Sequence, residues 1–336
     1  MALSLLQGAR YRWLTAWFGG FLLCFSLAGH AMDWPQYRSQ FIRDGGRVVD
    51  TANGNISHSE GQGYGMLLAV ANDDRNSFDL LWQWTRQHLG RHDVALFAWR
   101  YDPNAKPHIT DNNNAADGDL LIAWALLKAG LHWQDSNYLR LSKRIRDTIR
   151  DKMVRVWAGQ QVLLPGLAGF TGNDFVDINL SYWVMPALKD FADADGPGSW
   201  QPLLASGQAL LAASQFGSHK LPTDWVRLYQ NGRVTPAPKW SPRFGYDAVR
   251  IPLYYCWADL CQAPALASIK AYWQHRQPLP AWVNVNTGTV AAYPASAGVE
   301  AIRSLLLTGN LPAAKPVTSY YASSLLLLSR LAVRQQ

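Results

Sequence analysis

The sequence contains little cysteine, which limits the covalent cross-links and thiol chemistry available to it. Only three cysteines occur among 336 residues, and Cys24 lies in an apolar N-terminal segment. Cys256 and Cys261 could pair if the turn between them is not helical, but two cysteines do not form a disulfide framework. Neither has the flanking residues of a catalytic nucleophile. A cysteine-stapled fold and a cysteine hydrolase are therefore disfavoured.

Several motifs that define common enzyme classes are also missing. No βαβ alternation occurs, and the glycines of Gly61-Gln-Gly63-Tyr-Gly65 have the wrong spacing for a dinucleotide site and lie inside a predicted helix. No GxSxG elbow is present. His88 and His92 have HxxxH spacing, but no glutamate completes a zinc motif and they fall at a helix end. We therefore predict no cofactor and no metal.

Positive charge exceeds negative charge, with 31 Lys and Arg against 24 Asp and Glu, but it is not concentrated. The densest basic group runs along one predicted helix and is interrupted by Asp147 and Asp151; it comprises Lys143, Arg144, Arg146 and Arg150. This pattern is typical of a solvated helix face, whereas a nucleic-acid site needs a basic patch. A nucleic-acid partner is not expected.

The first 31 residues have the layout of a secretory signal peptide. Arg10 and Arg12 precede an apolar run from Trp13 to Ala28, and a small residue, Ala31, occupies a plausible cleavage position. A membrane anchor is the alternative, although a run of about 16 residues is short for a span. We predict cleavage near Ala31, release into the periplasm or the medium, and no stable membrane anchor.

Aromatic residues are abundant, with 16 Trp and 14 Tyr. Core packing explains many of them, because each ring buries a large apolar area. Several, however, stand beside polar loop residues, as Trp99, Trp225 and Trp240 do. Rings that line a groove hold the apolar faces of sugars, so the composition leaves core packing and sugar binding both open.

The remainder of the chain, 32–336, is predicted to be a single all-α domain. Apolar residues at helical spacing and start signals such as Asp33 before Pro35 predict helices at 34–43, 57–72, 75–90, 115–131, 135–152, 180–194, 199–214, 250–260, 263–275, 298–308 and 318–334. Short strands are predicted at 162–164, 225–229 and 282–285. So many helices with uneven connections favour a helical toroid. The long linkers 91–114, 153–179, 217–249 and 276–297 are expected to carry function.

The segment Ser57-His-Ser-Glu60-Gly-Gln-Gly-Tyr-Gly-Met66 is the strongest local signal. Ser57 and Glu60 have capping-box spacing, which is the structural alternative. Gly61, Gly63 and Gly65 argue against a simple cap, because each glycine costs about 0.8–1.0 kcal/mol in a helix relative to alanine. They suit a place where a ligand approaches the backbone beside Glu60, so we favour catalysis by Glu60.

Two further acidic clusters precede predicted helices. Asp117 and Asp119 end the run Asn112-Asn-Asn-Ala-Ala-Asp-Gly-Asp, where the alternative role is capping; the helix dipole is expected to keep either carboxylate ionised, and one of the pair is expected to be structural. Asp247 and Arg250 lie in Tyr246-Asp-Ala-Val-Arg-Ile-Pro252. A local exposed ion pair would be worth at most about 1 kcal/mol, whereas the functional interpretation is a base kept ionised by the arginine.

Taken in order, these clusters resemble glycoside hydrolase family 8, and within it the endoglucanases that accompany bacterial cellulose synthase. The resemblance extends from Trp34 to Tyr321 and is strongest in Ser59-Glu-Gly-Gln-Gly-Tyr-Gly-Met66, in Ala115-Ala-Asp-Gly-Asp119 and in Tyr246-Asp-Ala-Val-Arg250. One departure is Ala116, which stands where the family usually has Ser or Thr.

The resemblance implies an (α/α)6 barrel and an inverting endo-β-1,4-glucanase. It implies Glu60 as proton donor, Asp247 as base and Asp117 as the residue that binds and distorts the cleaved sugar. It also points to five substrate-binding residues: Tyr64, Trp99, Tyr182, Tyr246 and Arg250. The implied partners are a β-1,4-glucan chain and a bacterial cellulose synthase complex. The alternatives are another β-glycan, such as chitosan, xylan or mixed-linkage glucan, and a non-catalytic glycan-binding subunit of an export complex.

Overall fold

The computed structural model describes residues 32–312 and 317–334, so the predicted signal peptide lies outside the described residues. Within them the helices are α1 (Trp34–Phe41), α2 (Ser59–Ala71), α3 (Arg75–His88), α4 (Ala116–His132), α5 (Ser136–Lys152), α6 (Met185–Asp195), α7 (Gln201–Ala213), α8 (Ile251–Trp257), α9 (Ala267–Gln274), α10 (Ala297–Thr308) and α11 (Tyr320–Arg334). Each corresponds to one predicted helix, which confirms the all-α prediction.

The helices form an inner ring surrounded by outer helices. In the ring α2 packs against α4, α4 against α6, α6 against α8, α8 against α11, and α11 back against α2. The partners α3, α5, α7 and α10 pack against α2, α4, α6 and α11, respectively. Because the contacts between the inner helices close on themselves, the helices form the predicted toroid.

Residue patterning explains which helix enters which layer. In α2 every residue from Gly61 to Val70 is buried, and α4 is buried from Ala116 to Leu127. By contrast, α3 and α5 bury one face each and carry charged residues on the other. A helix that is apolar on all sides belongs inside a protein, whereas an amphipathic one covers the surface. Two helices of the inner ring, α2 and α4, thus leave almost no polar face for water, whereas their outer partners α3 and α5 do.

Buried Gln62 fixes α2 against its neighbours. Its amide oxygen accepts a hydrogen bond from the backbone of Val48 at 2.6 Å, and its nitrogen donates to Gly46 and to Thr85 on α3, at 3.1 and 2.8 Å. A buried amide is stable only when its donors and acceptors are paired, as they are here. This network holds the start of α2, where Glu60 lies.

The strands are short and lie in the loops. They are β1 (Ile42–Arg43), β2 (Arg47–Val48), β3 (Ser57–His58), β4 (Arg100–Tyr101), β5 (Val154–Trp157), β6 (Gln160–Leu163), β7 (Phe175–Ile178), β8 (Val226–Tyr229), β9 (Val234–Pro236), β10 (Arg243–Phe244) and β11 (Val283–Asn284). All pair antiparallel, in four two-stranded sheets and one sheet of order β7-β8-β9. The three predicted strands match β6, β8 and β11, and the others escaped prediction because two to four residues carry no periodic signal.

Two local predictions change in detail. The predicted helix 180–194 is a 3₁₀ turn at Leu180–Tyr182 followed by α6, which begins at Met185 with Pro186 in its first turn. The open question of the cysteines is answered by a disulfide that joins Cys256, in the last turn of α8, to Cys261 in the turn that follows. Over the described ranges, no helix is both long and apolar enough to cross a bilayer.

Candidate active site

Three inner helices point their N-terminal ends at one place, and each brings an acidic residue there. Glu60 is the second residue of α2, and Asp117 is the second residue of α4. Asp247 and Arg250 lie in the segment that leads directly into α8. Helix N-termini carry partial positive charge, which favours anions. The architecture therefore brings together residues that are up to 190 positions apart in the chain.

Glycine permits the close approach of α2 and α4 at this point. A Cβ on Gly118 would lie 2.8 Å from the backbone nitrogen of Glu60, and one on Gly63 would lie 2.5 Å from the Cβ of Leu121. Gly65 faces Val48 and Leu81 in the same way. The expectation that these glycines make room for a ligand is wrong, because neighbouring protein fills the space. They position Glu60 through helix packing instead.

Glu60 is held by groups on both sides of its carboxylate. Tyr64, one turn along α2, donates a hydrogen bond to Oε1 at 2.9 Å, and its hydroxyl is also 3.0 Å from that of Tyr254. The guanidinium of Arg250 forms an ion pair with the same oxygen. His58 caps α2 by accepting from Gly61, with its Nδ1 3.7 Å from Glu60 Oε2. The capping-box alternative is therefore wrong, and Glu60 is left to face the cleft.

Asp117 is almost fully buried between the helix ends. Burial raises its pKa to about 7, against opposing hydrogen bonds from backbone amides, including that of Gly118. The expectation that the helix dipole keeps this carboxylate ionised is wrong, because desolvation outweighs a dipole that contributes at most about 2 kcal/mol. Arg250 Nη2 lies 3.5 Å from its Oδ2. Asp117 can therefore carry a proton near neutral pH and donate it in a hydrogen bond.

Asp119 is the structural member of the acidic pair. It is fully buried, and it accepts hydrogen bonds from the backbone of Phe97 at 2.9 Å and from the side chain of Asn114 at 2.6 Å. Burial raises its pKa to about 8. Both partners belong to the long 91–114 linker. Asp119 thus fastens that linker to α4 and takes no position in the cleft.

Asp247 is paired with Arg250 as predicted, at 2.9 Å from Nη2 to Oδ1. The pair is not on the open surface, since the arginine side chain is 4% exposed and the aspartate 29%. Partial burial raises the pKa of Asp247 well above its usual value, and the nearby carboxylates of Asp224 and Asp117 raise it further. A hydrogen bond from Asn179 acts in the opposite direction. The expectation that Arg250 keeps this base ionised therefore needs correction, because burial and the neighbouring carboxylates dominate its pKa, and Asp247 is a stronger base than an ordinary aspartate.

Arg250 connects the whole group. Its guanidinium contacts Glu60, Asp117 and Asp247, and it donates to Ser181 Oγ at 2.8 Å. One buried positive charge thus faces three acidic side chains. A buried charge is stable only when it is paired and hydrogen-bonded. Arg250 holds the three carboxyls in a fixed relation to each other and reduces their mutual repulsion.

These side chains line an open cleft of about 230 Å³. Among its walls are Trp99 and Tyr182, together with Glu60, Asp117, Asp247 and Arg250. Trp99 is fixed by a hydrogen bond from its indole nitrogen to Asp111 at 2.9 Å. Tyr64, in contrast, is completely buried behind Glu60. The cleft therefore combines acidic groups with aromatic rings, as carbohydrate sites do.

Aromatic rings continue beyond the cleft. Tyr182 makes an edge contact with Trp225, whose ring is nearly parallel to those of Trp240 and Phe170, with centroids 4.2 and 5.5 Å away. Tyr246 is 51% exposed, and its hydroxyl is 2.7 Å from that of Tyr293. The chain therefore has aromatic residues both in its core and around the cleft, and sugar binding by the second group stays a prediction.

Sequence reasoning missed three residues that shape the site. Asn179 accepts hydrogen bonds from the backbone and hydroxyl of Ser181, which in turn meets Arg250. Asp224 accepts from the backbone around Asp247. The polar run Asn179-Leu-Ser-Tyr182 beside a predicted helix start was an available signal for the first two. Nothing local linked Asp224 to a loop some twenty residues later.

No group of three or more His, Cys, Asp or Glu side chains within 32–312 and 317–334 has an arrangement that could hold a metal ion.

Comparison with known proteins gives concordant matches over nearly the whole chain. The sequence profile described as glycosyl hydrolases family 8 matches residues 12–335. An endoglucanase of Cellulomonas uda is 47% identical over 276 residues, which cover 82% of this chain and 77% of that protein.

Two solved structures are also similar. Endoglucanase Cel10 of Klebsiella pneumoniae, a family 8 glycosyl hydrolase, superposes with a TM-score of 0.87 at 46% identity and covers 90% of this chain and 99% of its own. The endo-β-1,4-glucanase CMCax of Acetobacter xylinum gives 0.86 at 38% identity, with 90% and 97% coverage.

Proposed function

The chain belongs to glycosyl hydrolase family 8 and has the (α/α)6 barrel of that family, and from this we propose that it cleaves internal β-1,4 bonds of cellulose-type glucan with inversion at the anomeric carbon. Its membership makes it a glycoside hydrolase, and relatives such as the one from Cellulomonas uda are named endoglucanases. We further propose Glu60 as the acid, Asp247 as the base and Asp117 as the residue that binds and distorts the sugar.

The observation that carries this proposal is the joint contact of Arg250 with all three acidic residues at the floor of one cleft. Hydrolysis with inversion needs one carboxyl that gives a proton and another that takes one, on opposite sides of the sugar. Glu60 and Asp247 come from different helix ends and contact different nitrogens of the guanidinium. A sugar lying over Arg250 would pass between them.

The proposed reaction balances its protons within these residues. Glu60, protonated, gives its proton to the glycosidic oxygen as the bond to the anomeric carbon breaks. Asp247, ionised, takes a proton from the water that attacks the same carbon from the other face. Glu60 ends as a carboxylate and Asp247 as an acid. Arg250 faces both, so its positive charge is compensated at the start by Asp247 and at the end by Glu60.

Asp117 and the aromatic rings serve substrate binding in this proposal. With its pKa near 7, Asp117 can donate a hydrogen bond to a sugar hydroxyl and accept another. Trp99, Tyr182 and Tyr246 present ring faces or edges to the glucan, while Tyr64 acts from behind by holding Glu60. Arg250 holds the acidic groups and reaches the same sugar.

The product anomer tests the mechanism directly. Cello-oligosaccharides hydrolysed by this enzyme should release the α-anomer first, because the water attacks opposite the departing β-linked sugar. Proton NMR within the first minutes, before mutarotation, distinguishes the anomers. An initial β-anomer would overturn both inversion and the role of Asp247.

The substrate is tested with a panel of carboxymethyl-cellulose, chitosan, xylan and mixed-linkage glucan in a reducing-end assay. The highest kcat/KM is expected on carboxymethyl-cellulose. A higher kcat/KM on another glycan would show that this glycan is the substrate, and it would leave the assignment of the fold unchanged. The absence of hydrolysis on every glycan, with binding retained, would favour the non-catalytic glycan-binding subunit.

We also propose that residues 1–31 direct export, that 32–336 form one catalytic domain, and that the enzyme acts in bacterial cellulose synthesis beside the synthase complex. The support is the N-terminal sequence pattern together with the similarity to CMCax of Acetobacter xylinum. In a cellulose-producing host that lacks its own copy, the wild-type gene should restore cellulose yield and a Glu60→Gln gene should not. Normal yield without any copy would contradict the proposal.

A further inference from the structure

We propose that Asp224 is the positioning residue of the catalytic base: it anchors the backbone around Asp247 so that the Asp247 carboxylate faces the cleft, and its negative charge strengthens that base. This inference rests on the proposed role of Asp247. Asp224 lies in the loop before β8 and acts only through the neighbouring segment.

A single oxygen of Asp224 carries the anchoring contacts. Oδ1 accepts hydrogen bonds from the backbone amides of Gly245, Asp247 and Ala248, at 3.1, 3.1 and 2.8 Å. The amide of Asp224 itself donates to the carbonyl of Arg243 at 2.7 Å. Hydrogen bonds to a charged acceptor are about twice as strong as neutral ones. The loop that carries the base is thus bound at both ends to one aspartate.

Because of these contacts, the Asp247 side chain is not needed to cap the turn that follows it. Asp247 occupies the N-cap of the 3₁₀ turn Ala248–Arg250, where an aspartate side chain normally accepts hydrogen bonds from the first backbone amides. Its side chain makes no such bond. Asp224 satisfies amides of this turn from a distance. The carboxylate of Asp247 is therefore free to pair with Arg250 and to meet a water in the cleft.

Gly245 allows the close approach on which this arrangement depends. A Cβ at that position would lie 3.0 Å from Asp224 Oδ2 and 3.2 Å from the Cβ of Trp282. Its φ is not in the left-handed region, so a glycine is needed here for lack of space and not for an unusual backbone angle. The absence of a side chain at Gly245 therefore lets Asp224 lie close to the backbone of the segment that carries Asp247.

Two neighbouring carboxyls also influence each other's charge. Burial raises the pKa of Asp224 to about 6, and its charge is one cause of the raised pKa of Asp247. The other charged or titratable groups facing the pair are Asp117, Arg243, Arg250, Tyr182, Tyr246, Tyr254 and Tyr321. Of these, the two arginines carry charge near neutral pH, and Asp117 is only partly ionised there because burial raises its pKa to about 7. Loss of the Asp224 charge should therefore make Asp247 a weaker base that ionises at lower pH.

Asp224→Asn removes the charge and keeps an oxygen that can accept from the three amides. We expect the acid limb of the kcat/KM profile to move to lower pH by roughly one unit, since two charges separated by several ångströms interact on that scale. The value of kcat at the plateau should fall several-fold and KM should change little. Asp224→Ala also removes the anchor, and its kcat should fall by about 100-fold, because a displacement of about 1 Å has that effect.

Asp177→Asn is the matched control. Asp177 is a buried aspartate on β7, the strand paired with β8, and it is bound to Arg227 at 2.7 and 2.9 Å. Its variant should lower the melting temperature without moving the acid limb. An acid limb unchanged in Asp224→Asn, or moved equally by Asp177→Asn, would overturn the inference.

Asp247→Asn tests the role of Asp247 as the base separately from the role of Asp224 as its positioning residue. If this variant retains near-full activity, the proposed base is wrong and the role of Asp224 falls with it. If it is inactive while Asp224→Asn has the wild-type profile, only the inference about Asp224 fails. Loss of activity in Asp247→Asn together with a shifted acid limb in Asp224→Asn supports both.

Discussion

Arg250 makes contacts in this cleft that the residues next to it in the sequence do not explain. Arg250 follows Asp247 by three positions, so their pairing is a local event. Its contacts with Glu60 and Asp117, however, join three helix ends. A carboxyl that must give a proton and one that must take a proton would repel each other if both were charged and unpaired. Placing one guanidinium between them lets each change its charge in turn.

Glu60→Gln tests the acid at this scale. The amide keeps the size of the side chain but has no proton to give, so kcat on carboxymethyl-cellulose should fall by about 100-fold to 10,000-fold with little change in KM. Steady-state kinetics measure this. The chain offers a matched control in Glu300→Gln, its only other glutamate, which lies on α10 beside Arg303. Near-wild-type turnover in Glu60→Gln would show that another group is the acid.

At the scale of elements, the N-terminus of α4 serves both the site and the scaffold. Asp117 faces the cleft, while Asp119, two residues later, points away and holds Phe97 and Asn114. Helical geometry places residues two apart on different sides of the helix. One short acidic segment therefore supplies a carboxyl that faces the cleft and a structural one, and the structural one fixes the linker that carries Trp99.

Asp119→Ala should reduce the free energy of unfolding by about 2–4 kcal/mol, because it leaves a buried amide and a buried side-chain nitrogen without their acceptor. Urea denaturation followed by circular dichroism measures the change. Asp193→Ala, at an exposed position of α6, is the control and should stay within about 0.5 kcal/mol of wild type. Equal effects in the two variants would contradict the structural role of Asp119.

At the scale of the whole molecule, buried carboxyls link stability to pH. The pKa values of Asp117, Asp119 and Asp224 are raised to about 7, 8 and 6 by burial. Between pH 4 and these values the folded chain holds protons that the unfolded chain has released, so stability falls as pH rises. His88, whose pKa is lowered by burial, acts in the opposite direction below its usual pKa of 6.5. These three carboxyls, together with Asp247, whose pKa is also raised, outweigh the one histidine.

The melting temperature should therefore be highest near pH 5 and lower by at least about 4 °C at pH 8. Calorimetry at constant ionic strength measures it. Asp117→Asn removes one of these titrating carboxyls, and its melting temperature should decline less steeply over the same range. A melting temperature that rises from pH 5 to pH 8 would show that these carboxyls are not protonated in the folded protein.

The sequence by itself determined the helices and, through a recognisable order of motifs, the family. Helical periodicity is a local property, so α4 and α5 could be found within about two residues from their apolar spacing. Resemblance then selected Glu60, Asp117 and Asp247. Most of the short strands were missed and the 3₁₀ turn at Leu180–Tyr182 was misassigned, because two to four residues hold too little pattern.

Tertiary structure alone decided how those residues act together. The glycines beside Glu60 serve helix packing, Asp117 is dominated by burial and not by the helix dipole, and Asp224 anchors a loop some twenty residues away. Each of these depends on which distant segments the closed ring of helices brings into contact, and on how much water the ring excludes from them. Desolvation and contact between distant segments arise only when the ring closes, so no local pattern in the sequence encodes them.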